Sequence, residues 1–325
     1  MEVNEVLDPF DQMLAAVFTP DRVRAIEAGQ SAIEAWDELG ASGFLDALVP
    51  ECSGGVELDL PVVGALWQSL GRHAVPLPVA DTMVARAVLS SEEITVPSGP
   101  IALAFLAPGI EGVVSFGGVA EHILVDTGEF IQLVAVGDCR SQPTGIRGDV
   151  DARLCLSGAE AGRRIQRVGD GLLPALALTR AALIAGASMR LLEMSVAYAN
   201  ERVQFGKPIG RQQVLQQNLA MMAEDCVASR ISVEMACAGG FPIAEKGAAT
   251  AKSVASTMAP RISNTAHAIH GAIGISEEHD LQLFTRRLHA WRLAGGAEGF
   301  WNARLGKQML EETLTTLDWA RHLAR

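Results

Sequence analysis

The alternation of apolar and polar positions divides the chain into three stretches with different periods. Residues 1–91 show helical spacing broken by turns, and residues 172–325 show long helical spacing again. Between them, residues 92–171 carry short β-type segments, with Asp126-Thr127-Gly128 as a predicted hairpin turn. Helices followed by strands and then helices, without βαβ alternation, exclude a dinucleotide-binding parallel sheet. We therefore predict a mainly α protein with a helical N-terminal domain, a reduced β middle domain and a C-terminal helical bundle.

Two segments show the helical period most clearly. Ile33, Trp36 and Leu39 repeat at intervals of three, and Gly40 is a candidate C-cap. The second segment is a stripe at steps of four and three, which predicts a helix face packed against a neighbour: Leu215, Leu219, Met222, Cys226, Ser229 and Val233.

Composition narrows the class of protein. The net charge of −12 argues against nucleic acid and anionic membranes as partners, because both require clustered Lys and Arg. Five cysteines without a C-x-x-C pair predict reduced, buried thiols rather than disulfides. The acidic N-terminus has no apolar h-region, and the apolar stretch Leu172–Ala187 is short for a bilayer and interrupted by Arg180. We expect a soluble cytoplasmic protein.

The segment "YANERVQFGKPIGRQQVLQQ" (198–217) lies between two long helical patterns and carries unusual chemistry for a turn. Arg202 offers a bidentate fork to a diphosphate, and Phe205 offers an aromatic surface. Three glutamines, Gln204, Gln212 and Gln213, offer neutral donors and acceptors, and a helix starting near Ile209 presents free N–H groups. The alternative is an ordinary interhelical loop with Gly206 and Pro208 as breakers.

The run "YANERVQFGKPIGRQQ" resembles the flavin-binding signature of the acyl-CoA dehydrogenase family. "WDELGASGF…VPECSGGVELDLPVVGALWQSLGRHAVPLPVADT" resembles that family's N-terminal helical domain, and "AIHGAIGISEEHDLQLFTRR" resembles its late Gly-rich turn and following helix. The resemblance implies a four-helix C-terminal bundle that forms the oligomer core. It also implies FAD as cofactor, an acyl-CoA thioester as substrate, and α,β-dehydrogenation.

Family residues carry over to the diphosphate half of the cofactor site. The resemblance implies that Arg202, Gln204 and Phe205 contact the adenine-diphosphate half of an FAD held mainly by a neighbouring subunit. Ile209, Gln212 and Gln213 would line the same groove. The family's late turn reads Gln-x-x-Gly-Gly and closes on the same cofactor. In this chain that turn is Ala268-Ile269-His270-Gly271-Ala272. Alanine therefore replaces both the glutamine, at 268, and the second glycine, at 272.

The positions of the family's catalytic base depart further from the family pattern. The family's glutamate base aligns with Gly295, and the other base position used in the family falls at Ala175 and Leu176. Glu298 and Asp170 are the nearest substitutes, each with the alternative of an ordinary first-turn or loop carboxylate. The family's Thr-Glu-Pro strand end and later tryptophan segment have no counterpart in the short middle domain. No catalytic residue is therefore assigned, with Glu298 as the remaining candidate.

A metal site is the competing interpretation of the histidines near residue 270. His267 and His270 share a helix face at spacing i and i+3, with Glu277 and His279 nearby. Only two of these four residues have helical ligand spacing, so we expect structural histidines and no metal.

Three functions remain open from the sequence. The first is a subunit of an FAD-dependent acyl-CoA dehydrogenase, resembling the shortened chains of bacterial steroid-degrading members that assemble as α2β2 with a second acyl-CoA dehydrogenase chain. The second is a self-sufficient homo-oligomeric dehydrogenase that uses Glu298 or another displaced base. The third is a non-catalytic paralogue that binds acyl-CoA or a partner. For either enzyme, the resemblance implies an electron-transfer flavoprotein or a similar electron acceptor.

Overall fold

The computed structural model describes residues 3–156 and 163–323, and helices dominate it. Within these residues the helices are α1 (Val3–Val17), α2 (Pro20–Glu27), α3 (Ile33–Ala41), α4 (Leu60–Arg72), α5 (Val79–Ser91), α6 (Leu173–Glu201), α7 (Gln213–Cys237), α8 (Glu245–His270), α9 (Leu281–Leu293), α10 (Glu298–Glu311) and α11 (Thr316–Leu323). The mainly α prediction is confirmed.

The N-terminal helices form where the sequence predicts them, with one shifted end. Helix α3 includes Gly40 and ends at Ala41, so the predicted C-cap at Gly40 is wrong. The left-handed position lies later, at Gly43 with φ 77°, because that residue has no Cβ to clash in this conformation. Trp36 and Leu39 are buried as expected, whereas Ile33 is 66% exposed in the first turn.

Strands occupy the middle of the chain, between α5 and α6. They are β1 (Ile101–Phe105), β2 (Glu111–Val114), β3 (His122–Asp126), β4 (Phe130–Ala135), β5 (Arg140–Pro143), β6 (Ala152–Cys155) and β7 (Arg164–Gln166). One sheet has the order β1-β3-β4-β7 and the other β2-β6-β5. The predicted hairpin at Asp126-Thr127-Gly128 joins the antiparallel strands β3 and β4, with Gly128 at φ 90°. Strands β5 and β7 had no clear apolar alternation in the sequence, and both lie at sheet edges.

The first sheet separates two cores. Side chains on one face, including Ala102, Ile123 and Val125, pack with Val114 and Leu154 of the second sheet. The opposite face joins the large helical core through residues such as Leu103 and Leu124. This alternation follows from the two-residue period of a strand, and it fixes the middle sheets against α5 and α6.

Helix α6 is the central helix of the C-terminal part. It has 29 residues and is long and apolar enough to cross a membrane, but 83% of its most apolar window is buried inside the protein. The expectation that this apolar segment is too short to span a bilayer is therefore wrong for the helix as formed. Burial of this kind is typical of the core helix of a soluble protein, so one such helix is weak evidence for a membrane span.

The stripe predicted on α7 packs inward as expected. Met222, Cys226, Ser229 and Val233 are buried. The expectation of uniformly buried thiols is wrong, because Cys52 is exposed and Cys139 is only half-buried. All five thiols are free.

Candidate functional site

The arginine segment between α6 and α7 folds into a tight hairpin. Two short antiparallel strands, β8 (Val203–Gln204) and β9 (Lys207–Pro208), flank it. Phe205 and Gly206 form the turn with φ 52° and 78°, the two positive values that a two-residue type I′ turn requires. The base of the hairpin is closed because the Ile209 N–H donates to the Arg202 carbonyl at 2.8 Å. The hairpin thus projects from the end of the central helix.

The hairpin presents its predicted cofactor residues to solvent. Phe205 is 94% exposed, and Arg202, Gln204 and Gln213 are also exposed, while Gln212 is half-buried. The Arg202 guanidinium has no hydrogen-bond or ion-pair partner among residues 3–156 and 163–323. A fully exposed phenylalanine beside an unpaired arginine marks a surface suited to a partner or ligand.

The predicted late turn packs directly under this hairpin. Ile209 is buried in a small cluster with Ala199 of α6 and Ile269 of α8. Tyr198 stacks on His270 with ring centroids 4.6 Å apart. Ile209 therefore orients the hairpin through packing and offers little free surface. These contacts bring two motifs that are about 60 residues apart in the sequence onto one surface.

Three residues of the late turn are exposed beside the hairpin. Ala268 lies in the last turn of α8, and Gly271 ends that helix with φ 61°. Ala272 follows in the 3₁₀ turn. A side-chain amide is absent at 268, so backbone groups are the polar atoms that this turn offers to a ligand.

The histidines beside the turn make structural contacts. His267 Nε2 lies 3.1 Å from Thr285 Oγ1, and His270 Nδ1 lies 2.8 Å from the Ala266 carbonyl. Burial lowers the pKa of both rings and so favours their neutral forms. In the part of the chain that the structure describes, no group of three or more His, Cys, Asp or Glu could hold a metal ion.

A separate cavity of about 370 Å³ lies between the middle sheets and the C-terminal helices. Strands β1 and β2, the first turn of α6, the loop between α9 and α10, and the start of α10 form its walls. Its lining residues are Leu103, Ala104, Phe105, Val113, Val114, Ser115, Arg167, Leu173, Leu176, Ala294, Gly295, Gly296, Phe300 and Arg304.

Both base positions identified from the sequence meet at this cavity. Gly295 lies opposite Leu176, and a Cβ on Gly295 would come within 3.1 Å of the Leu176 side chain. Gly295 also has φ +67°, a conformation that is strained for any residue with a side chain. Among the described residues no Asp or Glu lines the cavity. The cavity therefore has an aliphatic wall at both positions where the family resemblance would place a carboxylate base.

Glu298 is held away from general-base chemistry by an ion pair. It is the first residue of α10, and Arg292 Nε donates to its Oε2 at 3.0 Å. This hydrogen bond lowers the pKa of Glu298. A carboxylate stabilised in its charged form is a weaker proton acceptor, and Glu298 does not line the cavity.

Asp170 lies beside the cavity in a shared ion-pair cluster. Arg304 Nη2 contacts both Asp170 Oδ1 and Glu245 Oε1 at 2.5 Å. Burial and the neighbouring Asp170 raise the pKa of Glu245. Burial also acts against ionisation of Asp170, but hydrogen bonds with Glu245 and Arg304 lower its pKa overall. Glu245 and Arg304 could not be identified from the sequence, because the three residues come from distant segments.

Lys252 is a third residue of this region that the sequence pattern did not reveal. Its side chain is fully buried in α8, and its Nζ donates to Ser256 Oγ at 2.8 Å and to the Arg292 carbonyl at 2.7 Å. Burial lowers its pKa to about 7. The contact with Arg292 fixes the end of α9 and therefore the loop that carries Gly295. A lone lysine in the Ala- and Ser-rich segment "GAATAKSVAS" was the available signal.

The hairpin and the cavity lie at opposite ends of α6. Leu176 is in its first turn, and Arg202 follows its last residue. At about 1.5 Å per residue, the helix places them roughly 40 Å apart. A single extended FAD molecule does not reach from one to the other.

Comparison with known proteins identifies the family. A model described as "Acyl-CoA dehydrogenase, C-terminal domain" matches residues 172–310. The acyl-CoA dehydrogenase IpdE2 of Mycolicibacterium smegmatis is 31% identical over 265 residues, which cover 78% of this chain and 79% of the relative. The chain belongs to the acyl-CoA dehydrogenase family. This is a family of oxidoreductases that act on acyl-CoA.

Two solved structures share the fold of this family member. The ChsE4–ChsE5 complex from Mycobacterium tuberculosis has a chain with a TM-score of 0.81 and 24% identity, covering 97% of this chain and 99% of that one. The Tcur3481–Tcur3483 steroid ACAD G363A variant gives a TM-score of 0.80 at 23% identity, with 95% and 99% coverage. At these identities the likeness establishes the fold alone.

Proposed function

We propose that this chain is a supporting subunit of an FAD-dependent acyl-CoA dehydrogenase. It supplies the Arg202 hairpin to a flavin held by a second, catalytic acyl-CoA dehydrogenase chain in an α2β2 assembly. The observation that carries the proposal is the placement of the hairpin and the cavity at opposite ends of α6. Because one FAD cannot contact both, the hairpin serves a cofactor seated in another subunit.

The residues of the hairpin fit the diphosphate half of FAD. Arg202 is exposed and unpaired, so its two-pronged guanidinium is free for a charge-assisted contact with phosphate oxygens. Phe205 provides an exposed aromatic surface, and Gln204 and Gln213 provide neutral hydrogen-bonding groups at the same edge. The late turn carries Ala268 in place of the family's glutamine, and its exposed backbone at Gly271 lies beside the hairpin, where a ligand can contact it.

The cavity supports a subsidiary role for this chain in the chemistry. FAD, when bound, accepts the hydride from the β-carbon of the acyl group, and a carboxylate must remove the α-proton. Gly295 and Leu176 provide no proton acceptor in this chain. The loop that carries Gly295 is fixed by Lys252 and by the Arg292–Glu298 pair, so we infer that the partner chain supplies the base.

The comparisons support a paired assembly and a steroid-derived substrate. Two structural relatives carry paired chain names, ChsE4–ChsE5 and Tcur3481–Tcur3483, and the second is called a steroid ACAD. We therefore propose a steroid-derived acyl-CoA thioester as substrate and an α2β2 heterotetramer as the active form. An electron-transfer flavoprotein or similar protein accepts the electrons, and the complex works in the cytoplasm.

The test is co-expression with candidate acyl-CoA dehydrogenase partner chains, sought first among the neighbouring genes, followed by counting flavin per chain. We expect little FAD and negligible acyl-CoA dehydrogenation with the isolated chain. The co-purified heterotetramer should hold half as many flavins as chains and turn over acyl-CoA.

Each other outcome identifies one of the alternatives. Stoichiometric FAD and rapid turnover by the isolated chain would establish a self-sufficient homo-oligomer, with Glu298 as the first residue to mutate. Preparations without flavin, alone and with the partner, would establish a non-catalytic binding paralogue.

A further inference from the structure

A second cavity of about 310 Å³ lies on the far side of the segment Ser115–Phe116. Ser115 lines the first cavity and Phe116 lines the second, and Phe116 adopts the strained value of φ 61° between them. The walls are largely apolar and include Phe116 and Trp291, both nearly fully buried. At the mouth, Ile146 and Leu293 are 66% and 65% exposed, which gives the cavity an apolar entrance.

One residue of the cavity lining, Arg287, has a buried nitrogen without a partner among the described residues. Arg287 is 7% exposed and pairs with Glu27, with its Nη1 also donating to the Leu283 carbonyl. Its Nη2 is buried and has no hydrogen-bond partner among the described residues. An unsatisfied buried charged donor costs about 1–3 kcal/mol or more, so such a group calls for an acceptor that the chain itself does not provide.

A carboxyl group lines the same cavity. Asp151 Oδ1 accepts the Phe116 N–H at 2.8 Å, and this is its one side-chain hydrogen bond within the described part of the chain. Burial, reinforced by the neighbouring Asp149, raises the pKa of Asp151 to about 6. A cavity, a buried donor and a perturbed carboxyl together are typical of a ligand site.

We propose that this second cavity binds a compact, ring-bearing apolar alcohol. Its hydroxyl oxygen accepts from Arg287 Nη2, and its hydroxyl hydrogen is donated to Asp151. The ring packs between Phe116 and Trp291, having entered past Ile146 and Leu293. This site is distinct from the Arg202 hairpin and from the cavity that carries Gly295, and it does not depend on the subunit role proposed above.

The local charges favour a neutral hydroxyl over an acid. Glu27, Asp149 and Asp151 bring three negative charges to the cavity, against the positive charges of Arg286 and Arg287. A carboxylate would add a further negative charge beside Asp151. A hydroxyl satisfies both a donor and an acceptor without any net charge.

The pH dependence follows from Asp151. The charged groups around it are Arg180 of α6, Arg287, Arg286 and His289 of α9, Glu27 of α2, and Asp149 in its own loop. Ionised Asp151 accepts a hydroxyl hydrogen more strongly than protonated Asp151 does. Affinity for the alcohol should therefore be higher above pH 6 and fall, by about fivefold, as the pH drops below it.

The experiment uses cyclohexanol as the probe, with ligand-observed NMR titrations of the full chain between pH 5 and pH 8, and cyclohexanecarboxylate as the charged comparator. We expect saturable cyclohexanol binding that weakens below pH 6 and little carboxylate binding. Asp151→Asn keeps an acceptor for the Phe116 N–H, so it should fold, bind cyclohexanol several-fold more weakly and lose the pH dependence.

The matched control is Asp149→Asn, which removes the same charge from the same cavity. The Asp149 carboxylate accepts hydrogen bonds from the Thr144 hydroxyl and the Asp151 N–H, so cyclohexanol binding should persist in this variant. Because Asp149 raises the pKa of Asp151, the pH at which binding weakens should be lower. Absence of saturable cyclohexanol binding would mean that the cavity holds water alone, and the proposal would be wrong. Tighter binding of the carboxylate, or an unchanged Asp151→Asn variant, would also overturn it.

Discussion

At the scale of single residues, Arg202 is the side chain on which the cofactor role depends. We predict that Arg202→Ala lowers the affinity of the assembled complex for FAD roughly tenfold to hundredfold, since a hydrogen-bonded contact to a charged group contributes about 1.5–3 kcal/mol. Flavin absorbance per chain after gel filtration measures this, with circular dichroism to check helical content.

The controls for Arg202 separate charge from geometry. Arg202→Lys keeps the positive charge and loses the planar guanidinium. Its flavin retention should therefore lie between that of the unchanged protein and that of Arg202→Ala. Arg140→Ala removes an exposed arginine of β5 and should change nothing. Full flavin retention by Arg202→Ala would remove the hairpin from the cofactor site.

For Glu298 we predict that substitution leaves the activity unchanged. Because it pairs with Arg292 and lies outside the cavity lining, Glu298→Gln should leave the turnover of the heterotetramer unchanged. The ion pair is partly exposed, so stability should fall by about 1 kcal/mol or less, measured by urea unfolding. A loss of turnover of two to four orders of magnitude, the range for a missing general base, would instead identify Glu298 as that base.

Thiol reactivity should follow burial residue by residue. Burial raises the pKa of both Cys226 and Cys237 to about 12, so neither forms a thiolate at pH 8. Cys52 is exposed, and it should account for the fast phase of labelling by Ellman's reagent. Cys52→Ser should abolish that phase, and urea should release the buried thiols. A fast phase that survives Cys52→Ser would contradict this arrangement.

At the scale of elements, one buried ion pair joins three of them. Arg180 of α6 binds Asp81 of α5 through both carboxylate oxygens, at 2.6 and 2.8 Å, and both residues are fully buried. Asp81 also accepts the Leu103 N–H of β1. The pair therefore fixes the first cavity's sheet wall to the central helix.

We predict that Arg180→Met destabilises the chain by about 3–5 kcal/mol, because it leaves the Asp81 charge buried and uncompensated. The double variant Arg180→Met with Asp81→Leu should recover much of that loss, as measured by urea unfolding. If the double variant is as unstable as the sum of both single variants, packing rather than charge pairing is the cause.

At the scale of the whole molecule, α7 has a second apolar face that none of the residues 3–156 and 163–323 covers. Val227, Ile231 and Met235 follow at steps of four, are 38–42% exposed, and line a groove of about 680 Å³ against α8. Since the opposite face of α7 is already buried in the core, this exposed stripe is suited to a contact with another chain.

We predict that Ile231→Glu disrupts assembly by burying an unpaired charge in the subunit interface. Light scattering after gel filtration should show a smaller species with unchanged helical content. Val168→Glu, a change at an apolar residue that is 78% exposed outside this groove, is the matched control. Normal assembly by Ile231→Glu would place the interface elsewhere.

The sequence by itself determined the features that depend on neighbours along the chain. Helical periods located α6 and α7, and turn residues located the β3–β4 hairpin at Asp126-Thr127-Gly128 and the break at Gly206 and Pro208, because backbone conformation there is set by local sterics and hydrogen bonds. Alternating apolar residues located the main strands. The sequence did not predict β5, which is exposed along its whole length, or β7, which has only three residues and a single apolar side chain.

Only the tertiary structure decided which distant residues meet. The contact of Gly295 with Leu176, the Arg180–Asp81 pair, the support of the Arg292 carbonyl by Lys252, and the cluster of Asp170, Glu245 and Arg304 each join separate segments. No periodic pattern records such contacts, since they arise from how whole helices and sheets pack. The consequence of the length of α6 also depends on the tertiary structure. A straight helix holds the Arg202 hairpin and the Gly295 cavity too far apart for one cofactor.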